Sequence, residues 1–127
     1  MGDSWAEFMW SNRTLREVFV ENGRPDLAER GAVTAIGGTT AAQWAGSQGL
    51  ELISEELAAW PTIDTVQLTV GGNDLLAGAS GGGWYVGIPQ QELDAFTTRV
   101  VRDVTIVVDH ALAQIRRSRW CSASTTM

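Results

Sequence analysis

The longest stretch of ordered hydrophobicity lies towards the C-terminal end, where Phe96, Val100, Val104, Val107, Ala111 and Ile115 recur at spacings of three or four. Apolar residues at that spacing fall on one stripe of an α-helix, so a helix is predicted over Leu93 to Arg117. A shorter pattern of the same kind predicts a helix over Leu15 to Val20, with Leu15, Val18 and Phe19 on one face. The run Asn22-Gly23-Arg24-Pro25-Asp26 then stops it, because glycine permits a left-handed turn and proline blocks helical continuation. Thr40 to Trp60 is mostly helical by the same rule, with Leu50, Ile53, Leu57 and Trp60 in register and Pro61 ending the run. Two segments read differently. Val66, Leu68 and Val70 alternate with Gln67 and Thr69, which predicts a strand over Ile63 to Val70. Ala32 to Ile36 is short, apolar and partly β-branched, and predicts a buried strand running into Gly37-Gly38. Residues 77–91 are glycine-rich and predict a long loop. Helix and strand alternate along the chain, the pattern of an α/β layered domain with a parallel sheet.

At 127 residues the chain makes one domain at most, and an apolar fraction of 44% is enough for a core. The net charge is −6 and all nine basic residues are arginines, with no basic run longer than Arg116-Arg117. Such a chain is no general nucleic-acid binder, which needs clustered cations to displace counterions from phosphates. Cys121 is the only cysteine, so no internal disulfide is expected, and no metal site either, because it has no companions at ligand spacing. No segment approaches 18 continuous apolar residues, and no basic stretch followed by an apolar run marks a signal peptide. Compartment and oligomeric state stay open.

Three turns of small residues carry the candidate chemistry: Gly2-Asp3-Ser4, Gly37-Gly38-Thr39 and Gly72-Asn73-Asp74. Each stands where a strand is predicted to end, and in an open parallel α/β sheet the ligand crevice lies outside those ends. A serine there would meet a backbone N–H and a side-chain amide across one small volume, the arrangement acyl transfer requires. In order and placement these turns resemble three of the four blocks of the SGNH/GDSL-type serine hydrolases. Gly2-Asp3-Ser4-Trp5 is similar to the first, with Trp5 where leucine is usual; Ile36-Gly37-Gly38-Thr39-Thr40 to the second; Gly71-Gly72-Asn73-Asp74 to the third. The resemblance implies a three-layer α/β/α sandwich with a flavodoxin-like parallel sheet. It implies Ser4 as nucleophile, with the Ser4 and Gly37 backbone N–H groups and the Asn73 side-chain amide as oxyanion donors. The substrate it implies is a small-molecule ester, meaning a carboxylic ester, a thioester or a sugar acetyl ester, with no cofactor and no metal.

The family's fourth block, an Asp and a His three residues apart, has no counterpart here. The one histidine, His110, directly follows Asp109 inside the predicted long helix and projects off its apolar stripe, so it is expected to be solvated. Adjacent helical residues diverge, which leaves Asp109 unable to orient the ring. Residues 118–127 read as an irregular tail where the family fold calls for another strand, and only Met1 precedes the first turn. The expectation is therefore an SGNH-like domain over residues 1–117, incomplete at both ends.

The remaining candidates are weaker. Gly81-Gly82-Gly83-Trp84-Tyr85 either covers a ligand or is a plain exposed loop, Trp5 is expected in the core, and Asp74 lacks the companions a metal needs. Three functions compete: an ester hydrolase; an inactive fragment or pseudo-enzyme that binds acyl or carbohydrate ligands; and a phosphate-binding module using the glycine turns as a nest, which the absence of lysine disfavours.

Overall fold

The computed structural model describes residues 1–123, with side chains described through Arg116. The elements in order are α1 (Ser4–Ser11), α2 (Thr14–Glu21), α3 (Ala41–Ala45), α4 (Ser47–Ala59), α5 (Gly72–Leu76) and α6 (Gln90–Ala123), with a 3₁₀ turn at Ala79–Gly81. Residues 118–123, predicted as the start of an irregular tail, continue α6, and residues 124–127 lie outside the described residues.

The core forms where α6 packs against α3 and α4. Ile53 and Leu57 of α4 meet Val107, Ala111 and Ile115 of α6, with Trp44 of α3 closing one end. Ile53 and Val107 are wholly buried, and burial of such a side chain stabilises the fold by about 1.5–3 kcal/mol. Their three-and-four spacing is what puts them on facing stripes. α3 starts with a capping box, in which the Thr40 hydroxyl accepts from Gln43 N and the Gln43 side chain accepts from Thr40 N. At Gly46 the backbone is extended, which separates α3 from α4 and lets both reach α6.

The predicted sandwich does not form. The structure is 59% helical and the described residues contain no sheet, so the expected flavodoxin-like α/β/α architecture is corrected to a mainly helical one. Ile63 to Val70 remains extended and turns Ile63, Val66, Leu68 and Val70 towards the core, while Gln67 is exposed. Alternation thus placed Val66, Leu68 and Val70 on the inner side but missed that Thr69, on the predicted outer face, is half-buried, and a strand also needs neighbours along its length. Among the described residues the only pairing is at single residues: Gly2 makes parallel bridges to Ala35 on one side and to Thr69 on the other. Ala32 to Ile36 departs further from expectation, because Thr34 is its buried residue and both Val33 and Ile36 are exposed. A turn closed by Thr34 N donating to Gly31 O replaces the strand there.

Five backbone contacts fix residues 1–3 between those segments. Gly2 N donates to Thr34 O at 2.7 Å and Gly2 O accepts from Ile36 N at 2.9 Å. On the other side Asp3 N donates to Thr69 O at 2.8 Å, Thr69 N donates to Met1 O at 3.1 Å, and the Met1 amino group donates to Gln67 O at 2.8 Å. No helix among the described residues is long and apolar enough to cross a membrane.

Candidate active site

The triple junction at Gly2 delivers three turns to one rim. The first is the start of α1, which the hydrophobic pattern did not predict. Asp3 caps it, its side chain accepting from Trp5 N at 3.1 Å and its carbonyl from Glu7 N at 3.1 Å. Ser4 is the first helical residue, so its N–H is one of the helix donors without an intrahelical partner.

The second turn runs from Ile36 to Thr39. Gly38 adopts φ +81°, which only glycine takes without strain. The Thr39 hydroxyl donates to Ile36 O at 2.8 Å and accepts from the Trp44 indole N–H at 2.8 Å, so α3 braces the turn. Gly37 lies directly against α1. A Cβ there would stand 3.9 Å from Ser4 Cβ and would collide with the Glu7 carboxylate.

The third turn is the start of α5. The Asn73 side-chain amide donates to Thr39 O at 2.9 Å, and the Asp74 carboxylate accepts from Ala41 N at 2.8 Å in a buried position. Gly72 faces the first turn, where its Cβ would be 3.6 Å from Asp3 Oδ2.

Of the three residues the sequence selected, Ser4 and Gly37 are neighbours, and Asn73 is tied to the same turn two residues beyond Gly37. Among the described residues neither the Ser4 hydroxyl nor the Gly37 N–H has a hydrogen-bond partner. Asn73 has one of its two amide hydrogens engaged by Thr39, which orients the group and leaves the second N–H. Sequence reasoning missed two rim residues. Glu7 was legible only as the residue three after Ser4, the spacing of one helical turn. Thr39, which holds both the indole and the asparagine, sits inside the glycine motif without being marked by it.

His110 does not join this rim. Its Nε2 lies 2.7 Å from Ser54 Oγ on α4, half-buried rather than solvated as predicted. Ser54 Oγ also donates to Leu50 O at 3.0 Å and accepts from the Gln114 amide at 3.2 Å. A hydroxyl has one hydrogen and two lone pairs. Ser54 Oγ thus sits among Leu50 O, His110 Nε2 and the Gln114 amide, and this cluster clasps α4 to α6 away from the rim. Trp5, expected in the core, is 69% exposed instead. Trp84 is also exposed. Beside it the Tyr85 hydroxyl donates to Glu92, a bond that raises the tyrosine pKa, and Arg99 donates to Gly82 O, so the glycine loop is pinned to α6.

No family model, no curated protein and no solved structure matches this chain.

Proposed function

We propose that the rim is the acyl-binding half of a serine ester-hydrolase site of SGNH/GDSL type. Ser4 attacks the acyl carbonyl, and the oxygen that becomes negative accepts from the N–H groups of Ser4 and Gly37 and from the Asn73 amide. The ester's alkoxide or thiolate departs, its proton supplied through a base, and water then releases the acyl group from Ser4. The observation that carries this reading is the adjacency of Ser4 to Gly37 with both the hydroxyl and the N–H unoccupied by other partners.

The base is the weak point of this machinery. The chain's single histidine is engaged with Ser54, away from the rim, so no imidazole stands beside Ser4. That observation favours a second reading, in which the rim binds acyl or carbohydrate ligands without turning them over. External imidazole separates the two. With p-nitrophenyl acetate alone, hydrolysis should stay near background. With imidazole added, acetylation of the peptide carrying Ser4 should run at least about tenfold above that in Ser4→Ala, less than the roughly 10²–10⁴-fold of a positioned base because free imidazole is not held in place. Equal rates in both proteins, or acetyl groups on Ser54, would refute the hydrolase reading.

A further inference from the structure

Helix α6 carries a second apolar stripe on its solvent side. Val101 is 58% exposed, Val108 39% and Leu112 44%. Thr98 and Thr105, also exposed, complete a run of residues three or four apart, which shares one face of the helix. The contacts within the chain use the other side, where Val107, Ala111 and Ile115 meet α3 and α4. Thr105 stands at the middle of the outer stripe. Its hydroxyl donates to Val101 O at 2.8 Å, inside its own helix, so it brings no unpaired hydrogen to an apolar contact.

Two opposite charges close the stripe at its ends. Asp94 and Arg116 lie eleven residues to either side of Thr105, about three helical turns, which returns both to the same side of α6. Both are exposed, and no ion pair among the described residues uses either. Asp94 accepts a hydrogen bond from Gln90, at 2.7 Å, within the first turn of the helix. Thr98 and Leu112 stand seven residues to either side of Thr105, and Val101 and Val108 four and three. Reversed end for end, the stripe is its own complement.

We propose that a second copy of this chain packs on this face, α6 against α6 in antiparallel, with a two-fold axis near Thr105. Asp94 of each copy meets Arg116 of the other, Leu112 lies beside Thr98, and Val101 lies beside Val108. A parallel pair would instead set Asp94 against Asp94 and Arg116 against Arg116, and would place helix ends of like partial charge together. A two-fold contact is the commonest symmetry of homo-oligomers, and it accounts for the stripe and its two end charges at once. Contact along one helix face is at the small end of protein interfaces. The dimer is therefore weak, and the monomer is the species in dilute stability measurements. Ester chemistry plays no part in this inference.

Sedimentation equilibrium of the full chain tests it, in about 0.15 M salt so that the net charge of −6 is screened. A monomer–dimer equilibrium is expected below about 1 mM protein, where protein contacts of modest strength are populated. Leu112→Glu should abolish it with helix content by circular dichroism unchanged. Asp94→Arg and Arg116→Asp each put two like-charged pairs into the dimer, and each should weaken association about fivefold or more. The double variant carrying both should restore it, because opposite charges face each other again. A chain that stays monomeric, a dimer that survives Leu112→Glu, or charge reversals that have no effect or show no rescue in the double variant would overturn the proposal.

Discussion

Gly2→Ala should lower stability by about 4 kcal/mol or more, a loss comparable with the whole stability of many small domains. Gly2 has φ +130°, and a Cβ there would overlap the carbonyl of Thr69. The obstacle is backbone, so no side-chain rotation relieves it. Strain from a conformation that L side chains avoid is worth about 1–3 kcal/mol. Moving the chain away to relieve the overlap gives up bonds to Thr34, Ile36 and Thr69, each worth about 0.5–1.5 kcal/mol. Gly23→Ala supplies the comparison. Gly23 also has positive φ, at +72°, but nothing lies within 4 Å of its Cβ position. It should cost only about 1–2 kcal/mol, the intrinsic penalty of a left-handed alanine. Thermal melts of the two variants check this, and equal melting temperatures would show that residues 1–3 are not wedged between two segments.

The next largest loss is expected at the α4–α6 contact. Ile53→Ala should destabilise by about 3–4 kcal/mol, since truncating a fully buried isoleucine removes transfer free energy and leaves a cavity. For a chain of this length that is a fall in melting temperature of roughly 10–20 °C. Val101→Ala, at an exposed position on the outer face of α6, should change stability by no more than about 0.5 kcal/mol. Denaturant titration with unchanged slope is the appropriate measurement, because it separates lost stability from a change in the unfolded chain. If both variants unfold together with wild type, the core lies elsewhere.

The helices that proved legible in the sequence are those that carry a stripe, including α2, which has no buried residue and leaves Val18 exposed. α2, α4 and α6 each carry apolar residues at three-and-four spacing, and each forms close to its predicted place. α1 was not legible, because Trp5 and Phe8 are exposed and Ala6 is its one buried residue. Its helix depends on the Asp3 cap, which is a local hydrogen-bonding signal with no periodicity. The strands failed for a reason that alternation cannot express. Val66, Leu68 and Val70 do turn inwards, but hydrogen-bonded pairing belongs to neighbours, and the neighbour on this side is three residues long. A sequence shows which face of a segment is apolar and leaves open whether anything lies beside it.

The rim fared differently. Its three turns were chosen by residue type and order, and at two of them that choice bears on the packing: glycines at 2 and 37 permit close approach where a Cβ would overlap Thr69 or Glu7, while a Cβ at Gly72 would only touch Asp3. His110 was misjudged because one stripe was taken as the whole buried surface of α6. That helix packs against both α3 and α4, so a second face, carrying His110 and Gln114, is half-buried against Ser54.

The claim on which the functional account rests is that N–H groups at Ser4, Gly37 and Asn73 serve one negatively charged oxygen. An arylboronic acid, which becomes tetrahedral and anionic on a serine hydroxyl as the hydroxyl proton passes to buffer, tests it without turnover. Titrated into ¹⁵N-labelled protein, it should move the Ser4 and Gly37 backbone signals and the Asn73 side-chain signals together, with no change in Ser4→Ala. An adduct on Ser4 that leaves the Gly37 and Asn73 signals in place would contradict the account.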